Sequence, residues 1–336
     1  MKSSIKIGVL AISIVVLFVL NLIIGSVDIP AGEVFSILLG GEGSKASWAF
    51  IVMESRLPQA VTAMLCGASL AASGLMLQTS FRNSLAGPSI LGITNGASLG
   101  VALVMLALGG VIGSDSSFQV AGFFAIIFAA FIGSLLVLGI LLGLASIIKS
   151  NIMLLIVGIM VGYLTSSLIS LLNAFASADN VHSYVMWGMG SFSDVSLQQL
   201  PWFAGVSLAG LTLAILLVKP LNALLLGDSY AQNLGFNISH VRRWLLLSTG
   251  LLTAISTAFC GPVSFIGLAV PHIARMFVGS ENHKVLLPAT ILSGAFIAIL
   301  CNLLCILPGD TILPLNAVTP IIGAPVILYV ILCQRG

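Results

Sequence analysis

Apolar runs of about twenty residues, divided by short polar passages, recur along the chain. They predict spans at residues 7–27, 57–79, 90–108, 119–142, 152–175, 197–218, 242–260, 263–278, 285–306 and 316–333. Each is close to the roughly 20 residues that cross a bilayer core as a helix, and the eighth is short and interrupted by Pro271. The first run follows Lys2 and Lys6, is longer than the core of a signal peptide and has no small-residue cleavage site after it, so it reads as a retained span. Two polar passages, 28–55 and 176–196, are long, and the second is amphipathic enough for a short helix on the membrane surface.

A third polar passage, Gly227 to Arg243, lies between apolar runs. Asp228, Ser229, Tyr230, Ala231, Gln232, Asn233, Leu234 and Gly235 read as a short amphipathic helix closed by a glycine, where a left-handed turn costs least. A solvated connecting loop accounts for the same composition.

Composition fixes the setting. Of 336 residues 59% are hydrophobic and 7% charged, with a mean hydropathy of +1.19. A soluble fold of this size needs a polar exterior that such a chain cannot supply. Charge then orients the spans. An N-terminus placed inside puts ten of the twelve basic residues in the cytoplasm: Lys2, Lys6, Arg82, Lys149, Lys219, Arg242, Arg243, Arg275, Lys284 and Arg335. Lys45 and Arg56 fall outside, with Asp28, Glu33, Glu42, Glu54, Asp115, Asp179, Asp194 and Asp310; only Asp228 and Glu281 join the basic side. This is the positive-inside bias, and it places both termini in the cytoplasm.

Glycines at 92, 96 and 100, and at 158 and 162, form strips that let helices approach closely. GPSILG at 87–92 is echoed by GPVSFIG at 261–267, five spans later, as in an inverted repeat. The five cysteines suggest neither a disulfide framework nor a metal site; Cys301 and Cys305 lack a nearby histidine or carboxylate and read as buried small hydrophobes. No nucleotide-binding loop or hydrolase motif occurs, and no nucleic-acid partner is expected. The spans also lack a carboxylate placed to couple ions to transport, which argues against the alternative of a self-sufficient secondary carrier.

Arg56-Leu-Pro58, Gly67-Ala68-Ser69-Leu70-Ala71, Gly74, Gln78, RNSLAGPSILGITNGASLG (82–100), Met186-Trp187-Gly188-Met189-Gly190-Ser191, GPVSFIGLAVPHIARMFVG (261–279), Leu287-Pro288 and Ile322-Gly323-Ala324-Pro325 together resemble the membrane permeases of iron-siderophore, haem and vitamin B12 ABC importers. The resemblance covers nearly the whole chain. It implies an all-α polytopic fold like that of the vitamin B12 importer permease, a single permease domain over 1–336 and a bacterial cytoplasmic membrane location. It implies a homodimer around the pathway, an outer binding protein, and two separate ATPase subunits inside. Those subunits carry the ATP and magnesium; this chain is expected to bind no cofactor or metal and to catalyse nothing.

The same resemblance makes residues 227–236 a coupling helix for the ATPase. It makes Asn83 and Leu85 one inner gate and Ser150 and Asn151 another. The fifth span, with Gly158 and Gly162, becomes the lining of the pathway, and Arg56 a docking residue for the binding protein. Asn302 and Ile306 stand where the family often has an acid and an arginine, so a second docking pair is not expected. In Pro314-Leu-Asn316-Ala-Val-Thr319, asparagine replaces a family glycine and is expected to take a left-handed turn.

Overall fold

The computed structural model describes residues 2–41, 43–107, 116–148, 150–307 and 312–333. Glu42, Asp115, Lys149, Asp310 and Arg335, used above to orient the spans, lie outside the described residues, as do the side chains of Lys2 and Asn151.

Among the described residues, six helical stretches are long and apolar enough to cross a membrane. They are α1 (Lys2–Ile23); α3 (Ala46–Phe50) running through a π-helical segment into α4 (Leu57–Phe81); α6 (Ser116–Ile147); α7 (Asn151–Phe175); α12 (Ile238–Cys260); and α14 (His283–Ile306). A seventh is the pair α9 (Leu200–Leu216) and α10 (Val218–Leu225), bent by 50°. Three shorter apolar stretches begin at α5 (Ile93–Ala102), α13 (Ile266–Val278) and α15 (Leu315–Cys333). Six, one and three make ten, and they coincide with the ten predicted runs. The bent pair and the 13-residue α13 therefore lack the unbroken length of a simple span. Pro271 does not break α13, which continues through it.

The remaining helices are short: α2 (Ala31–Leu38) and α3 in the first long polar passage, α8 (Ala178–Gly188) in the second, and α11 (Asp228–Asn233) in the third. The second and third were predicted. The first was not, although Pro30 precedes α2 and Val34 and Ile37 tuck beneath it.

At the centre stands α4, with 83% of its hydrophobic window buried, beside α12 with 78%; α1 and α7, at 22% each, are peripheral. Close approach explains the glycines. A Cβ on Gly74 would lie 1.6 Å from the Gly267 carbonyl oxygen, and one on Gly67 would lie 2.2 Å from that of Gly294, so α4 crosses α13 and α14 backbone to backbone. Gly96 and Gly100 press in the same way on Gly133 and Ala129 of α6. The two echoed Gly-Pro motifs meet: a Cβ on Gly267 would sit 2.8 Å from the Pro88 ring.

Contacts define two ends. At one, Lys6 of α1 donates to the Phe277 carbonyl of α13 at 2.5 Å, Arg275 donates to Gln78 Oε1 near the end of α4 at 2.6 Å, and Asn222 of α10 accepts from the His283 backbone N–H that opens α14 at 2.8 Å. At the other, Gln59 of α4 donates to Asn302 Oδ1 at 3.0 Å, Asn302 donates to Asn21 Oδ1 at 2.7 Å, and Asn21 donates to the Ile299 carbonyl at 3.1 Å. This amide chain joins α1, α4 and α14. Asn316 closes the same end. It starts α15 in ordinary helical geometry, since Arg82 and Phe265 are the only described non-glycine residues with positive φ. The expected left-handed turn is absent because the side chain is occupied: Asn316 donates to the carbonyls of Gly188 and Pro262 and accepts from Ser264 N–H.

Candidate coupling and gating site

Helix α11 is set by its two glycines. Gly227 precedes it at φ 119°, and Gly235 follows at φ 88°, both conformations that L side chains resist. Gly235 N–H returns to the Gln232 carbonyl and Phe236 N–H to the Ala231 carbonyl, which satisfies the open carbonyls of so short a helix. Ala231 is fully buried, within the apolar cluster of Leu221, Leu224, Val241 and Leu245. Its methyl anchors α11 to its own fold. The outward surface is made by Tyr230 and Leu234, 47% and 55% exposed, with Leu226, Ser229, Gln232 and Asn233 beside them.

The Asp228 carboxylate meets two arginines. Arg82 Nη2 is 3.1 Å from Oδ1, and Arg242 Nη2 is 3.9 Å from Oδ2. Arg82 ends α4 in the left-handed region (φ 48°), and the Asn83 N–H turns back to the Gln78 carbonyl. Asn83 Oδ1 then accepts the Leu85 N–H at 2.9 Å, and the Asn83 carbonyl accepts the Ala86 N–H, which folds residues 83–86 into a tight turn. His272 of α13 secures it by donating from Nε2 to the Ser84 carbonyl at 2.8 Å. Leu85 is left 42% exposed.

Ser150 caps α7, its hydroxyl accepting the Met153 N–H. Asn151 begins the helix, and its side chain lies outside the described residues. Gly158 and Gly162 do not face open space. A Cβ on Gly158 would lie 2.9 Å from Leu91 Cα, and Asn95 donates to the Gly162 carbonyl at 3.2 Å. These two glycines seat the start of α5 against α7, because a backbone carrying no side chain lets the left-handed Gly92 turn approach. The exposed face of α7 is a different one, carrying Ile156, Met160, Tyr163, Ser166, Ser167 and Ser170.

Arg56 differs most from expectation. It is 6% exposed, and its guanidinium donates to the carbonyls of Leu22 and Ile23 at 2.8 and 2.7 Å and to that of Val27. It pairs with neither Glu54 nor open solvent; it closes the C-terminal end of α1, where carbonyls lack helical partners. Asn302 likewise points into the amide chain and not outward. Near this end a cavity of about 570 Å³ is bordered by Gln59, Asn302, Trp187, Met186, Asp194 and Cys305, and by none of the residues expected to gate. Asp194 is exposed where it opens onto the cavity; neighbouring protein atoms partly desolvate its carboxyl and raise its pKa, against hydrogen bonds from Ser191 and Ser193 that lower it. Cys66, Cys260, Cys301 and Cys305 are free and buried, and among the described residues no cluster suited to a metal forms.

In the sequence Arg82 and Arg242 stand out as basic-side charges and Arg82 also as the start of the 82–100 motif; the lone carboxylate of the third polar passage signals that some arginine will reach it, but not which.

A family model, the FecCD transport family, matches residues 13–333. A vitamin B12 import system permease protein BtuC of Klebsiella pneumoniae subsp. pneumoniae is 34% identical over 329 residues, covering 97% of this chain and 93% of that one. A protein of the same name from Citrobacter koseri is 33% identical over the same shares of each chain. A solved structure of an ABC transporter assigned to the metal-chelate type, in an inward-facing conformation, matches with a TM-score of 0.83 and 28% identity, covering 98% of this chain and 99% of that one. PsaBC from Streptococcus pneumoniae in complex with Fab, at a TM-score of 0.53 and 17% identity over 82% of this chain and 90% of that one, shares the fold. Multi-pass architecture, a family match over nearly the full length and relatives that are themselves permeases converge: the chain belongs to the FecCD transport family and is the membrane permease subunit of an ABC importer, with ATP hydrolysis left to separate subunits.

Proposed function

We propose that two copies of this permease enclose a pathway for a metal chelate, either cobalamin or an iron chelate such as a siderophore complex or haem. An outer binding protein delivers the chelate and two ATPase subunits docked on α11 drive its passage. The observation that carries this reading is the exposed face of α7. Tyr163 is 66% exposed, and Ser166, Ser167 and Ser170 share its side of the helix, within a stretch of hydropathy 2.3. Ser170 donates to the Ser166 carbonyl, but the Tyr163 phenol and the Ser166 and Ser167 hydroxyls would forgo hydrogen bonds with water if they faced lipid, whereas a wet pathway between subunits supplies them. Ile156 and Met160 continue the face without charge, which suits passage of a large chelate better than tight retention. That relatives are named for vitamin B12 import supports cobalamin as the first cargo to test.

The end bearing Lys6, Arg82, Arg242 and Arg275 faces the cytoplasm in this reading, on the positive-inside rule, so both termini lie inside. Reconstitution of the permease with its ATPase and binding protein in liposomes tests it, using cyanocobalamin, a ferric siderophore and haem in parallel. ATP-dependent accumulation of one of the three is expected; accumulation of none, or uptake that persists without the ATPase, overturns it.

A further inference from the structure

The two segments expected to close the pathway on the inside, 83–85 and 150–151, are far apart in sequence, and the structure gives them a common neighbour. Arg82, one residue before Asn83, reaches Asp228 Oδ1. Arg242, on the first turns of α12, faces Asp228 Oδ2 and donates from Nη1 to the Ile148 carbonyl at 3.4 Å, two residues before Ser150. Asp228 is the first residue of α11.

The local chemistry suits the transmission of displacement. Arg82 holds a left-handed backbone that a non-glycine residue avoids, and such geometry persists only where its surroundings enforce it. Gly227 leaves room for the approach, since a Cβ there would lie 3.2 Å from Arg82 Nη2. The turn after Arg82 is braced internally by Asn83 and on its far side by His272, so a pull on Arg82 turns the segment as one piece. Arg242 is buried, its side chain 7% exposed, and so moves with α12 and the end of α6 together. The Arg82–Asp228 pair is about half exposed and adds little stability. Its consequence is positional: displacement of α11 reaches both segments through one carboxylate.

We propose that Asp228 is a positioning residue that relays motion of α11 to both inner closures, through Arg82 to 83–85 and through Arg242 to 148–150. The proposal rests on the reading of α11 as the element that the ATPase moves.

The test uses the permease–ATPase complex in nanodiscs, in a cysteine-free background. A cysteine replaces Leu85 or Met153, both exposed, and the labelling rate is compared with and without ATP. Asp228→Asn is expected to reduce the ATP response at both positions by about fivefold or more, the lower range of coupling between sites. Arg82→Gln reduces it at 85 alone and Arg242→Gln at 153 alone. The exchange Arg82→Asp with Asp228→Arg restores the response at 85 and not at 153, where two like charges would then meet; a merely structural pair would restore both or neither. An Asp228→Asn complex that keeps either response overturns the relay, as does an Arg82→Gln complex that loses both. If Asp228→Asn fails to assemble, the Arg82→Gln and exchanged variants decide alone. Copurification of ATPase with Leu234→Asp is scored separately: retention there rejects docking on α11, while the labelling responses still judge the relay.

Discussion

Arg56 illustrates how a single residue changes meaning between sequence and structure. Among outer carboxylates an arginine reads as an exposed ion pair or a docking charge, and on that reading Arg56→Glu would leave stability untouched. In the fold its guanidinium serves three carbonyls at the end of α1, and a Cβ on Gly25 would lie 2.6 Å from it, so the chain is wrapped around the charge. Hydrogen bonds from a charged donor contribute about 1.5–3 kcal/mol, and removing the donor strands the acceptors. Arg56→Gln is therefore expected to destabilise the detergent-solubilised permease by about 2 kcal/mol, with Arg56→Lys intermediate. Thermal unfolding measures this; a midpoint for Arg56→Gln equal to that of the parent would show that the three carbonyls are satisfied without it. Asn316 has the same character, with one amide holding the starts of α13 and α15 against the end of α8.

At the scale of elements, glycine content sets the geometry of the bundle. The Gly74–Gly267 crossing brings backbone against backbone, so a methyl group has no flexible side chain to displace. Gly74→Ala should separate α4 from α13 and cost at least the ~1–3 kcal/mol usual for overpacking, whereas Gly139→Ala, with nothing within 4 Å of its Cβ, should be neutral. Size-exclusion profiles and unfolding midpoints of the two variants compare them directly, and equal behaviour would mean that the crossing is slack. Helix α11 yields a second contrast. Ala231→Trp cannot fit the buried site and should unseat α11 from α10 and α12, while Leu234→Asp alters only the outer face and should weaken ATPase copurification without lowering the unfolding midpoint. How far such elements were legible follows from what sequence encodes. Hydropathy placed all ten apolar stretches and the helix at 228–233, because burial in lipid and a glycine C-terminus are local requirements. It missed α2, which is only eight residues long. The spacing of Gly158 and Gly162 predicted close helix packing, which Leu91 and Asn95 supply; the lining role came only from the family resemblance, since hydropathy does not say which side of a helix meets protein. Asp228 was visible as a residue; its two arginines, 146 and 14 positions away, were not visible as its partners.

For the whole molecule, the placement of its two ends unites fold, charge and the reading of function. Hydrogen bonds put the start of α1, the ends of α4, α6 and α13, and the starts of α12 and α14 at one end, with Lys6, Arg82, Arg242, Arg275 and Lys284. The amide chain of Asn21, Asn302 and Gln59, the Arg56 cap and α8 mark the other. A chain threaded in this way can be inserted in either orientation on packing grounds alone, and the asymmetry of lysine and arginine selects one. The choice has a direct consequence. Lys45 opens α3 at the Arg56 end, and Asn237 caps α12 at the arginine-rich end. In a cysteine-free background, a membrane-impermeant thiol reagent applied to intact cells should label a cysteine at 45, and should label one at 237 only after the membrane is opened. The same preparations test the dimer, because a cysteine at 167, on the hydroxyl face of α7, should cross-link between two copies if that face borders a shared pathway. Labelling of 45 and 237 from one side would break the threading, and a 167 variant that stays monomeric under oxidation would return the serines of α7 to lipid.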